Sequence, residues 1–87
     1  MKAVVTVVGK DKVGIIARVS GVLCENEINI LDISQTIMQD MFTMIMLVDM
    51  GEKMISEMSE KLDALARDVG LSIHIQSEEL FSSMHRI

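Results

Sequence analysis

Val7-Val8-Gly9-Lys10-Asp11-Lys12-Val13-Gly14-Ile15-Ile16 decides the fold, because a β-branched run ends there in a polar loop and restarts, at a glycine, as a helix. Upstream, Ala3 to Val8 is apolar apart from Thr6 and β-branched apart from Ala3, the near-continuous hydrophobicity of a strand in the interior of a sheet. Downstream, Gly14 to Glu27 changes period: Ile15, Val19, Val22 and Leu23 recur at helical spacing, with Arg18 and Glu25 elsewhere. The opposite edge of this helix carries Gly14, Ala17, Gly21 and Cys24. Small residues at three- and four-residue steps predict tight packing on the sheet, with Cys24 an ordinary buried thiol. A strand that turns into a helix so abruptly also leaves backbone N–H groups without intrahelical acceptors, a place where a small anionic or zwitterionic molecule could bind.

Further along, Ile28 to Met38 reads as a second strand, Gln39-Asp40 as a break, and Phe42 to Asp49 as a third strand, so these two form an antiparallel hairpin. Gly51 and Glu52 are expected to open a second helix, in which Ile55, Met58, Leu62, Leu65 and Val69 repeat at helical spacing and Glu57 pairs with Lys61. Gly70 stops it, and Leu71 to Gln76 alternates as a last strand with one solvated face. The order β-α-β-β-α-β, with right-handed crossovers, predicts an α+β ferredoxin-like sandwich: a four-stranded antiparallel sheet with two helices on one face. Residues 1–77 form this domain, and the tail 78–87 is expected to make a short amphipathic helix through Leu80, Met84 and Ile87. In the third strand Phe42, Met44, Met46 and Val48 point one way and Ile45 and Leu47 the other, so apolar residues reach both faces. An oily second face predicts a homodimer or higher homo-oligomer.

Composition narrows the function. The 87 residues are 49% hydrophobic, enough for one domain near the lower size limit of a self-sufficient core. A net charge of −5 and only Phe42 and Phe81 as aromatics argue against a nucleic-acid partner, which needs clustered cations and stacking platforms. One cysteine builds no disulfide framework and suits a reducing cytoplasm; no apolar run suits a signal peptide or a membrane span. Seven of the nine methionines lie between Met38 and Met58, but spread along a strand they cannot converge on one soft metal ion, and core filling explains them better. His74 and His85 have no partners at ligand spacing, so no metal and no cofactor are expected. No nucleophile or phosphate-loop motif is present, and no enzyme activity is expected.

Asp11-Lys12-Val13-Gly14-Ile15-Ile16-Ala17 resembles the turn Asp/Asn-Arg/Lys-x-Gly-aliphatic-aliphatic-small of the ACT domain, a regulatory amino-acid-sensing module. Glu27-Ile28-Asn29-Ile30 resembles that family's entry into its second strand, and Asp32-Ile33-Ser34-Gln35-Thr36 with Phe42-Thr43-Met44 looks like the small stand-alone ACT proteins of bacteria and archaea. The resemblance covers Ala3 to Gln76 and implies a ligand held between subunits, the first loop of one chain facing the start of the second strand of another. It implies ligand-binding roles for Asp11, Lys12, Val13, Gly14, Ile15, Asn29 and Ile30, and a homodimer as the working unit. Serine-binding members put a histidine just before the loop, where this chain has Gly9.

The chemistry fits a free amino acid: Asp11 can accept from its ammonium, the N–H groups of Val13 to Ile15 can donate to its carboxylate, and Asn29 can do either. Each residue also has an ordinary role, Asp11 as a helix cap, Gly14 as a turn former and Asn29 as a strand-entry residue. The alternative function is a protein–protein interaction adaptor without a small ligand, docking through the outer face and through Phe81 and Met84 of the tail.

Overall fold

A computed structural model describes residues 1–10 and 14–84, as β1 (Lys2–Lys10), α1 (Ile15–Glu25), β2 (Asn29–Met38), β3 (Met41–Asp49), α2 (Ile55–Val69), β4 (Ser72–Ser77) and α3 (Glu78–Met84). The four strands form one sheet in the order β2-β3-β1-β4, with every neighbouring pair antiparallel. The chain therefore has the ferredoxin-like topology expected of it. β1 is interior, flanked by β3 from Lys2↔Asp49 to Lys10↔Met41 and by β4 from Ala3↔Ser77 to Val8↔Ser72. β2 is an edge strand, and its ladder with β3 is interrupted by a bulge between Ile30 and Asp32.

Alternation along the strands sorts the side chains. Ala3, Val5 and Val7 of β1, Phe42, Met44, Met46 and Val48 of β3, and Ile73 of β4 are buried in one cluster with Ile15, Val19 and Leu23 of α1 and Met58, Leu62 and Ala66 of α2. Met44, Met46, Met50 and Met58 are fully enclosed, so four of the methionines fill the core, as flexible thioethers do well. Met41 begins β3, one residue before the start expected at Phe42, and lies opposite Met38 on the outer face.

Three local expectations change. The face of α1 on the sheet is Ile15, Val19 and Leu23, which turns Gly14, Ala17 and Cys24 outward; Cys24 is exposed, not a buried thiol. A Cβ built at Gly21 would meet nothing within 4 Å, so the small-residue edge is not a packing seam. α2 begins at Ile55 behind an extended Met54, because Gly51 and Glu52 belong to the turn that leaves β3, where Gly51 N donates to Asp49 Oδ1 at 3.0 Å and Lys53 N to the Met50 carbonyl at 3.0 Å. Glu57 pairs with Lys53 at 3.4 Å instead of with Lys61, whose ammonium goes across to Asn26 Oδ1.

The end of α1 sets the entry angle of β2. Glu27 N donates to the Cys24 carbonyl at 3.0 Å and Ile28 N to the Leu23 carbonyl at 2.9 Å, while buried Ile28 packs in the same cluster as Leu23. That is a Schellman closure, in which the residue at the bend must be left-handed; here it is Glu27 at φ +59. A non-glycine residue in that conformation costs about 1 kcal/mol.

The second face of the sheet is partly covered. Val4 points away from the main cluster yet is 6% exposed, and α3 is the element touching β1 and β4 that remains to cover it. Glu78–Met84 is helical, with Leu80 exposed and Phe81 half-buried; the face expected through Leu80, Met84 and Ile87 rests on the side chain of Met84 and on Ile87, which lie outside the described residues. Beyond α3 the outer face shows Met38, Met41 and Ile45. Among the described residues no helix is long and apolar enough to cross a membrane.

Candidate functional site

Gly14 is the N-cap of α1, with φ +86, a conformation that favours glycine, and with open space where a Cβ would stand. Its carbonyl accepts the first helical bond, from Arg18 N at 2.9 Å. Among the described residues the cap has no side-chain hydrogen bond, and the first-turn N–H groups have no intrahelical acceptor; Gly14, Ile15, Ile16 and Ala17 of this turn border a depression. Asp11, Lys12 and Val13 lie outside the described residues.

That depression, about 640 Å³, opens between α1 and β2. Phe42 floors it; Gly14, Ile16 and Ala17 form the helical side, and Gln35 and Ile37 the strand side. Ile15 also borders it, as a core residue only 5% exposed. A second depression of about 460 Å³ continues along the same helix from Ser20, which borders both, past Cys24 to Glu27, Asn29 and Ile30. Asn29 is exposed at the first position of β2, and Ile30 is half-buried against the core.

The described candidate residues, Gly14 and Ile15 on one side and Asn29 and Ile30 on the other, therefore fall into two groups at opposite ends of one groove. Asn29 and Ile37, the latter beside Gly14, stand eight residues apart on β2, roughly 26 Å at 3.3 Å per residue. One amino acid cannot touch both ends within a single chain.

Ile16 (39%) on α1 and Ile33 (40%) and Ile37 (57%) on the edge strand β2 are exposed apolar side chains. The backbone of that edge is capped in its middle, where Ile33 N donates to Asp32 Oδ1 at 2.9 Å next to the bulge. At Gly9 a Cβ would collide with Leu71 Cδ2, so the space beside this position is already filled by an apolar side chain. Gly9 is opposite Phe42 in the register, and a large residue there would displace Leu71 at the end of the core.

One buried polar residue, held by an exposed lysine, was not expected from the sequence. Asn26, 7% exposed, donates from Nδ2 to the Val22 carbonyl at 2.7 Å and accepts at Oδ1 from Lys61 Nζ, tying the end of α1 to α2. The sequence signal for it is an asparagine just past the last helical position, followed two residues on by an apolar residue.

Residues 2–76 match the ACT domain model, and the chain belongs to the ACT domain family. Its particular kin are small proteins of its own length, found in bacteria and archaea alike. A UPF0237 protein of Clostridium acetobutylicum is 56% identical over the whole of both chains, and one of Methanococcus maripaludis is 51% identical over 97% of this chain and 96% of that one. Among solved structures, an ACT domain protein from Streptococcus pneumoniae superposes with a TM-score of 0.83 at 40% identity, over 100% of this chain and 97% of that one.

Proposed function

We propose that this chain is a regulatory module that binds a small molecule, an amino acid, at the junction of two copies, and performs no chemistry on it. Membership of the ACT domain family supports the regulatory, ligand-binding part. The observation that carries the rest is the separation of Gly14 from Asn29 along one groove. A two-fold axis at the free edge of β2, perpendicular to the sheet, runs a second β2 in the reverse direction beside the first. The partner's Asn29 then comes next to Ile37 and Gly14, and two equivalent sites are completed at once. Exposed Ile16, Ile33 and Ile37 give this edge its apolar contact. The Asp32 bond to Ile33 N favours contact through side chains over a continuous backbone ladder.

In each site Asp11 accepts from the ligand ammonium, the amides of Val13, Gly14 and Ile15 donate to its carboxylate, Lys12 adds positive charge beside that carboxylate, and the partner's Asn29 and Ile30 close the far side. A thermal-shift screen of the twenty common amino acids tests this. A ligand at a hundred times its dissociation constant adds about 2.7 kcal/mol, on the order of 10 °C for a domain of this size. A flat screen on folded, dimeric protein rejects amino-acid sensing.

A further inference from the structure

We infer that the ligand carries an apolar side chain, aliphatic in kind, and that Ile37 with Ile16 and Phe42 selects it. This rests on the proposed amino-acid site and deepens it. The two depressions differ in chemistry. The one between Gly14 and Ile37 is bordered by hydrocarbon on its floor and both walls, with Gln35 and Ser20 as its polar side chains at the border. The one at the start of β2 is mixed: Ser20, Cys24, Glu27 and Asn29 border it together with Ile28 and Ile30. When two copies lie in reverse along their β2 edges, the end of one groove that carries Glu27 and Asn29, the more polar of its two ends, meets the hydrocarbon slot of the other. A zwitterionic head with a hydrocarbon side chain matches that junction: the head lies against the partner's polar end, and the side chain enters the slot over Phe42.

A serine or aspartate side chain in that slot would lose hydration against walls that are mostly hydrocarbon, with Gln35 and Ser20 at the border as the polar side chains within the lining, which opposes binding. Lysine is disfavoured for the same reason. The slot exists in this chain because Ala17 is small and points outward, leaving room between Ile16 and Ile37. Selection of this type is worth roughly tenfold or more per carbon removed from a matched pair.

Titration calorimetry of the intact protein with leucine, isoleucine, valine and methionine, against serine, aspartate and lysine, tests the inference. Tight binding confined to the first group is expected. Ile37→Thr, which keeps a strand former at an exposed edge position, is expected to weaken leucine binding about tenfold; Ala17→Leu, a good helix former that fills the slot, is expected to abolish it. The oligomeric state of each variant is read alongside, so that loss of the slot is told apart from loss of the dimer. Binding of the polar amino acids as tight as the aliphatic ones, or leucine binding indifferent to both substitutions in dimeric protein, overturns the inference and leaves amino-acid sensing standing. No heat with any of the seven, together with a flat thermal-shift screen, removes both.

Discussion

Replacing Ile33 by lysine puts the dimer edge under direct strain while sparing the core. Ile33 lies near the middle of β2 and is 40% exposed, and the aliphatic stem of a lysine can keep covering what the isoleucine covers within one copy while its ammonium reaches water. Full burial of an isoleucine side chain contributes about 1.5–3 kcal/mol, and two-fifths of that, lost from each of two copies, is about 1–2.5 kcal/mol. Near a two-fold axis the two ammonium groups come within about 6 Å. Coulomb repulsion at that distance is about 1–3 kcal/mol for an effective dielectric between those of water and a protein surface. Together the substitution weakens association by about 2–5 kcal/mol, at least thirtyfold in the dimer dissociation constant. Sedimentation equilibrium on Ile33→Lys, with circular dichroism to verify the fold, measures it. A dissociation constant within threefold of the parent's would refute an interface along β2.

Three further outcomes follow from single contacts. Lys61→Met keeps the aliphatic stem and removes the donor to Asn26 Oδ1, which leaves a largely buried acceptor unpaired; urea denaturation is expected to show a loss of about 1–2 kcal/mol, and a change under 0.3 kcal/mol would mean that the pair is solvated in the native state. Glu27→Gly relieves a left-handed bend at φ +59 and should raise stability by about 1 kcal/mol, or some 4–8 °C in Tm at fixed protein concentration. Truncation after Ser77 uncovers Val4 on the second face of the sheet and is expected to cost about 1.5–3 kcal/mol; an unchanged Tm would place α3 elsewhere.

Much of the fold was legible because it rests on periodicity. The β-branched run Val4 to Val8 marked an interior strand, and β1 has neighbours on both sides. The alternation in β3 sorted Phe42, Met44, Met46 and Val48 inward, all of them buried, and Ile45 outward. What escaped depends on tertiary placement. The rotation of α1 about its axis was fixed by the sheet contacts of Ile15, Val19 and Leu23, and a stripe of small residues could equally belong to a seam or to an open groove; Cys24 fell on the open side. The onset of α2 was set by the burial of Met50, which holds the chain down past the end of β3 and delays the helix to Ile55. Lys61 had two acceptors within reach in principle, Glu57 along its helix and Asn26 across from it, and the structure takes the second.

The candidate site was half legible. Gly14 and Asn29 drew notice through turn chemistry and through the family resemblance, whereas the groove joining them, with Ile16, Ile37 and Phe42, needed α1 set against β2 to exist. The Schellman closure demands a left-handed residue at Glu27, a place a glycine would fill without strain, and this chain carries the strain of a larger one.

Isotope-filtered nuclear Overhauser spectroscopy on a mixture of labelled and unlabelled protein, saturated with leucine, reads the junction itself. Contacts from Ile16 and Ile37 of one copy to Asn29 and Ile30 of the other are the result expected. Intermolecular contacts confined to the outer face around Met41 and Ile45, or none in a protein that still binds leucine, would contradict a ligand site shared between two β2 edges.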